Sequence, residues 1–194
     1  MGKTEPQMKG AMLAEFLRWY ATHYDSEPVR RFVQSDPGCV RARLDADRPS
    51  FGVVPSEWYS AALFHRLLDV AFAPMSQGER ALFVRRSTEA VSGHMIRGVY
   101  GALFSLIATP DRYVRHIQRA WNQLHNTGVR EVVLRPNEAE SIIREWPAHH
   151  PILCMMVHAT THALFERMLG KHADIERVRC VSQGHADCMS RLWW

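Results

Sequence analysis

Lysine is scarce in this chain, occurring three times in 194 residues (Lys3, Lys9 and Lys171). Arginine supplies the other basic residues, yet no basic run exceeds the pairs Arg30-Arg31 and Arg85-Arg86. A nucleic-acid groove needs clustered cations, so the formal charge of +4 reads as a solvated surface. No direct nucleic-acid binding is expected. Long apolar runs are also missing. Nothing approaches the ~18 consecutive apolar residues that a membrane span requires. The first residues, Met1-Gly2-Lys3-Thr4-Glu5-Pro6, lack a signal-peptide core, and Pro6 breaks the myristoylation pattern. The expected location is the cytoplasm. There the four cysteines are free thiols or metal ligands more often than disulfides.

Several catalytic signatures are absent as well. There is no Gly-x-Ser-x-Gly elbow for a serine hydrolase and no glycine-rich phosphate loop. No pair of carboxylates sits in an apolar setting that would split their pKa values for acid–base work. His158-Ala-Thr-Thr-His162 has the histidine spacing of a zinc-protease helix but not the glutamate base. His94, His125 or His158 could ligate haem iron, although a lone histidine in a helix is usually an ordinary core or surface residue. An enzyme is not expected.

What is present is a well-patterned globular chain. Hydrophobic residues make up 46% and charged residues 23%, which argues against wholesale disorder. A chain of this length buries roughly 70% of its unfolded surface as one domain. Helical periodicity predicts helices over 8–23, over a short stretch from Glu27 to Val33, over 55–73 and over 79–107. Asp36-Pro37-Gly38 reads as the end of the second of these, and Gly93, Gly98 and Gly101 weaken the last. Thr109-Pro110-Asp111 is a cap followed by a first-turn proline, opening a helix to about Asn126. After Gly128 the period changes from 3.6 to 2. Residues 131–135 and 141–146 read as paired strands about Pro136-Asn137-Glu138. His149-His150-Pro151 starts a long apolar helix that Gly170 stops. Residues 175–182 and 186–194 close the chain as a hairpin. The expected fold is α+β, with helices on one face of a four-stranded antiparallel sheet and a helix plus β-hairpin at the end. It is read as a single domain, 1–194, helical over residues 1–127 and sheet-containing over residues 128–194.

The last unit carries three of the four cysteines. With Gly184 at the centre of the turn, Cys180 and Cys188 lie opposite each other on one sheet face. Alternation puts them inward with Val178, Leu192 and Trp194, and puts Arg177, Arg179, Asp187 and Arg191 outward. On the preceding helix Cys154, His158 and His162 recur every four residues, so Cys154 can face the pair. Three thiolates with His158, His185 or Glu176 would complete a tetrahedral zinc site, with thiolate bonds near ~2.3 Å. Inert core thiols are the competing reading, because free cysteine packs as a small hydrophobe. A redox-active pair is the third.

The ending Cys180-Val-Ser-Gln-Gly184-His-Ala-Asp187-Cys188-Met-Ser-Arg-Leu-Trp193 resembles the closing hairpin of the 4-vinyl reductase domain family. These are small-molecule-binding domains related in fold to haem-NO-binding domains and TRAPP tethering subunits. The resemblance implies a structural zinc on Cys154, Cys180 and Cys188. The family's carboxylate ligand lies three residues before the middle cysteine, where this chain has Arg177, so either another group is the fourth ligand, with His158 the candidate, or the metal is absent. Lys9-Gly10, Val54-Pro55-Ser56-Glu57-Trp58-Tyr59, Thr109-Pro110-Asp111 and Trp121 before Gly128 are similar to a myxobacterial protein family of about this length.

The expected function is a non-enzymatic, ligand-binding sensor or regulatory module. It would bind a small apolar molecule between helices and sheet and signal through a protein partner or a homodimer. His94, Tyr100, Phe104, Trp121 and Trp58 are the candidate ligand-binding residues, with His65 an alternative to His94 as the polar group, although aromatics at helical spacing are also what plain core packing looks like. The expected cofactor is a structural zinc or none. The alternative function is an interaction or adaptor module using the hairpin face of Arg177, Arg179, Arg191 and Trp193.

Overall fold

The structure, a computed structural model, describes residues 5–97 and 108–194, with side chains throughout these except for 91–97. Its residues group into two compact units, Met1–Phe83 with Leu124–Asn126, and Val84–Gln123 with Thr127–Trp194.

The first unit is built on helix α1 (Gly10–His23), preceded by a short strand β1 (Gln7–Lys9). β1 pairs antiparallel with β2 (Trp58–Ser60), Met8 opposite Tyr59. The predicted helix starts at Met8 and Pro55 both give way to this ribbon: α1 begins at Gly10, and α4 (Ala61–Phe72) begins only after β2. Glycine is required at position 10, because a Cβ there would meet the Val54 carbonyl oxygen at 2.3 Å. The Asp36 stop signal begins a helix of its own. Asp36 accepts from the backbone N–H groups of Gly38 and Cys39, capping α3 (Pro37–Arg41) after α2 (Glu27–Ser35). The core gathers aromatics from three helices, with the Phe16 ring 5.7 Å from Phe72 and 5.4 Å from Phe83. Phe83 belongs to α5 (Gln77–Arg97).

The second unit holds the sheet. Helix α6 (Pro110–Asn122) starts where its signals place it, with the Thr109 hydroxyl accepting from Arg112 N–H. β3 (Val129–Arg135) and β4 (Glu138–Arg144) turn on Pro136-Asn137, and Asn137 takes the left-handed conformation that the tight turn needs. Helix α7 (Pro151–Leu169) is capped by His150 and ends at Gly170 with φ 64°. β5 (Asp174–Arg179) and β6 (Cys188–Trp193) follow, and the sheet order is β3-β4-β6-β5, all antiparallel. This is the α+β arrangement expected from the sequence. Tyr113 and Ile117 of α6, Leu164 and Phe165 of α7, and Val132, Ala139 and Leu192 of the sheet form one buried cluster. A slip by one residue would turn Val132 and Leu192 to solvent, so this burial fixes the strand register.

Candidate functional site

The cysteines converge through three separate pieces of local structure. Cys154 is on the first turn of α7, Cys180 follows the end of β5, and Cys188 opens β6. A bulge between Arg177 and Arg179 and a short 3-10 turn, Val181–Gln183, let the chain double back, with Gly184 at φ 87°. Cys180 Sγ lies 3.4 Å from Cys154 Sγ and 3.8 Å from Cys188 Sγ. The fourth member is His149, whose Nε2 is 3.5 Å from Cys180 Sγ. One ligand atom from each of the four lies within 4.8 Å of every other, so this group could hold a metal ion.

His158 is elsewhere. Its Nδ1 is 2.9 Å from the Ser190 hydroxyl of β6, one helical turn beyond Cys154. His149 escaped the sequence reading because it precedes the N-cap His150, where helical periodicity no longer relates it to Cys154. The bulge also moves Arg177 from the expected outward face to a position opposite Ser190. Of the other ligand candidates weighed, Glu176 pairs across the sheet with Arg191 and His185 is exposed.

The cluster polarises its own protons. Cys188 is pushed down to about 4, chiefly by the hydrogen bond from Cys154, with His149 and the Val181 N–H adding to it against burial. Cys154 is pushed up, by that same hydrogen bond first and by burial second. Burial opposes ionisation of Cys180, but hydrogen bonds from Ser182, Cys154 and His149 outweigh it and lower its pKa. Burial also works against protonation of His149, yet its hydrogen bonds to Cys188 and Cys180 raise it. The cluster thus favours the thiolate of Cys188 and works to stabilise the protonated form of His149 beside it. Cys39, in the first unit, is a different case: burial and then the charge of Asp36 push it up to about 12, as for an inert core thiol.

Among solved structures, an Fe(II) unliganded H-NOX protein from K. algicida is similar at a TM-score of 0.64 and 14% identity, over 96% of both chains. A mutant H-NOX of T. tengcongensis gives 0.58 at 11%, over 96% of this chain and 97% of that one. An H-NOX protein from S. oneidensis in the Fe(II)NO state gives 0.52 at 12%, over 95% and 98%. The chain has the H-NOX fold. No protein-family model matches it, and no curated protein matches it in sequence. The expected kinship in fold with haem-NO-binding domains therefore stands, while these structures give no support to the closer resemblance to 4-vinyl reductase domains. The cofactor expectation is corrected. One H-NOX structure concerns heme distortion and others an Fe(II) unliganded and an Fe(II)NO state, which overturns a structural zinc, or no cofactor, as the cofactor to expect of this fold.

Of the histidines that could ligate haem iron, His125 is buried in the first unit, in an isolated bridge to Met8. His158 is engaged with Ser190, His162 Nε2 is 2.6 Å from the Ala173 carbonyl, and His149 belongs to the thiol cluster. A pocket of about 540 Å³ in the first unit is walled by Arg43, Asp45, Asp47 and Arg48 and contains no histidine or cysteine. Of the ligand-binding candidates, the His94 side chain, Tyr100 and Phe104 lie outside the described residues. Trp121 is buried in the second unit, 5.2 Å from Trp146 in an edge-on contact, with its indole N–H donating to the Thr127 carbonyl. Trp58 is 37% exposed on β2, with Lys9 Nζ over its ring at 4.6 Å. His65, on α4, belongs to the first unit.

The outer face of the closing hairpin is tied into ion pairs. Arg179 Nε and Nη2 reach Asp187 at 2.7 and 3.2 Å, and Arg191 reaches Glu138 and Glu140 at 3.5 and 3.4 Å. That is a solvated polar face with Trp193 exposed at its end. Among the described residues no helix is long and apolar enough to cross a membrane.

Proposed function

We propose that this chain is a non-enzymatic, small-molecule-binding sensor module on the H-NOX fold, acting as one domain over 1–194. One observation carries the reading: the likeness in fold extends over 96% of this chain and 96% of the K. algicida H-NOX protein. The ligand is a small, largely apolar molecule, with His94, Tyr100, Phe104 and Trp121 as its contacts. Trp121 supports this, being a large buried aromatic beside a second tryptophan, Trp146. Haem is the first ligand to test, because one related structure concerns heme distortion and others an Fe(II) state. A ligand changes such a module only through unequal affinity for two conformations. The signal then passes to a protein partner or a second copy of the chain in the cytoplasm. The 4-vinyl reductase domains, also small-molecule binders, fit the same reading at a coarser level.

The test is absorbance and native mass spectrometry on the full chain purified from cells supplied with a haem precursor. A Soret band with the mass of one haem, or a retained organic adduct of another mass, supports the reading. Protein of bare mass that no small molecule stabilises against heat overturns it.

A further inference from the structure

Arg130 is the only buried arginine among the described residues, 8% exposed on the inner face of β3. Its backbone is pinned. The Arg130 N–H donates to Gln118 Oε1 at 2.5 Å, and Gln118 Nε2 donates onward to the Gly128 carbonyl. Its Nη2 donates to the Tyr113 hydroxyl at 2.8 Å and to Thr161 Oγ1 at 2.7 Å. The Thr161 hydroxyl gives its own proton to the Val157 carbonyl, so its oxygen is free to accept. The guanidinium carbon also sits 5.5 Å from the Trp121 ring centre and 5.8 Å from that of Tyr113. Buried Nε has no hydrogen-bond partner.

Hydroxyls and ring faces solvate this cation but do not neutralise it. Among the described residues no carboxylate lies within 4.0 Å of it, and residues 1–4 and 90–110 contain no Asp or Glu. Guanidinium cannot escape by deprotonating, unlike a buried lysine. An unpaired charge in low dielectric is among the costliest things a fold can bury, and methionine or leucine would fill the same volume without that penalty. A charge buried where a hydrophobe would serve stability as well is a candidate functional position. Arginine is suited to carboxylate recognition because its donors form a rigid planar fork.

We propose that Arg130 binds the carboxylate of an apolar ligand, aromatic or aliphatic, with Trp121 and Tyr113 against its hydrocarbon portion. The inference rests on the sensor reading and names the ligand class. The carboxylate supplies the missing counter-charge and accepts from Nε.

Matched probes test it: benzoate against benzyl alcohol, and octanoate against octanol. Each is followed by thermal unfolding and native mass spectrometry on the full chain, on Arg130→Met and on Arg130→Lys. In the native chain the carboxylate is expected to raise the unfolding temperature more than its alcohol. Arg130→Met should lose about tenfold to a hundredfold in carboxylate affinity, the worth of a charge-assisted hydrogen bond, with no loss for the alcohol. Without ligand it should unfold at the same or a higher temperature. Arg130→Lys should keep the preference for carboxylate at reduced affinity, and it decides the matter should the methionine variant not fold. Equal binding of acids and alcohols overturns the inference and leaves the sensor reading standing. So does a methionine variant that is less stable yet binds carboxylates undiminished, which would make Arg130 structural. If no probe binds and no adduct co-purifies, both readings fall.

Discussion

His158 gives the sharpest test of the packing around the thiol cluster, through its charge. The ring lies between α7 and the sheet with Nδ1 against Ser190, and its pKa is pushed down to about 4. Burial is the main cause, followed by the positive charges of Arg177 and His162. In the unfolded chain the same group titrates near the ordinary histidine value of about 6.5. Between these values the unfolded state binds the proton more tightly, so stability falls with falling pH. The contribution is fully present above about 6.5 and is lost as pH drops toward 4. Worked through the linkage relation, the loss relative to pH 8 is about 1 kcal/mol at pH 6 and about 2 kcal/mol at pH 5. Asp36, Glu140 and Glu166, which are held below their usual values, lose stability in the same direction. The informative quantity is therefore the difference between native chain and His158→Gln in urea unfolding at pH 8, 6 and 5. The native chain should show the steeper pH slope, by about 2 kcal/mol over the range. Parallel slopes would refute the claim that His158 is held neutral by the fold.

Three further outcomes follow from the same geometry. Phe165→Ala removes a fully buried ring that sits 5.3 Å from Tyr113 at 74°; a loss of about 3–5 kcal/mol in urea unfolding is expected, and under 1 would mean the helix-on-sheet core is not as described. Gly10→Ala must push a Cβ against a backbone carbonyl at 2.3 Å and the Tyr59 ring at 2.7 Å; it should cost about 1–3 kcal/mol or more, read as a lower unfolding midpoint. With Cys188 held near 4, the folded chain should show thiolate ultraviolet absorbance at pH 6.5 that vanishes in urea at the same pH and in Cys188→Ser; absorbance unchanged by unfolding would show that the cluster does not depress that thiol.

Much of the second unit was readable from local chemistry. Thr109-Pro110, Pro136-Asn137, Pro151 and Gly170 each act through their own backbone geometry, and each bounds an element where its chemistry predicts. The errors fall where distant chain decides. Met8 and Tyr59 become strand because each supplies the other's partner across fifty residues, which a local period cannot register. Cys154, Cys180 and Cys188 could be brought together on alternation and helical spacing alone. Choosing His149 over His158 could not, since His149 lies outside any periodic element and reaches the thiols through the turn into α7.

By itself, the sequence determined the α+β class, the antiparallel sheet, the convergence of three thiols and the absence of common catalytic motifs. These follow from periodicity and from residue chemistry, which are local. The resemblance carried by the closing hairpin implied kinship in fold with haem-NO-binding domains, and the tertiary structure established the H-NOX fold itself, at 14% identity or less. Tertiary structure alone decided which histidine joins the thiols and the burial of Arg130 without a counter-charge. Those depend on which surfaces meet, and the chain fixes that only when the whole core closes.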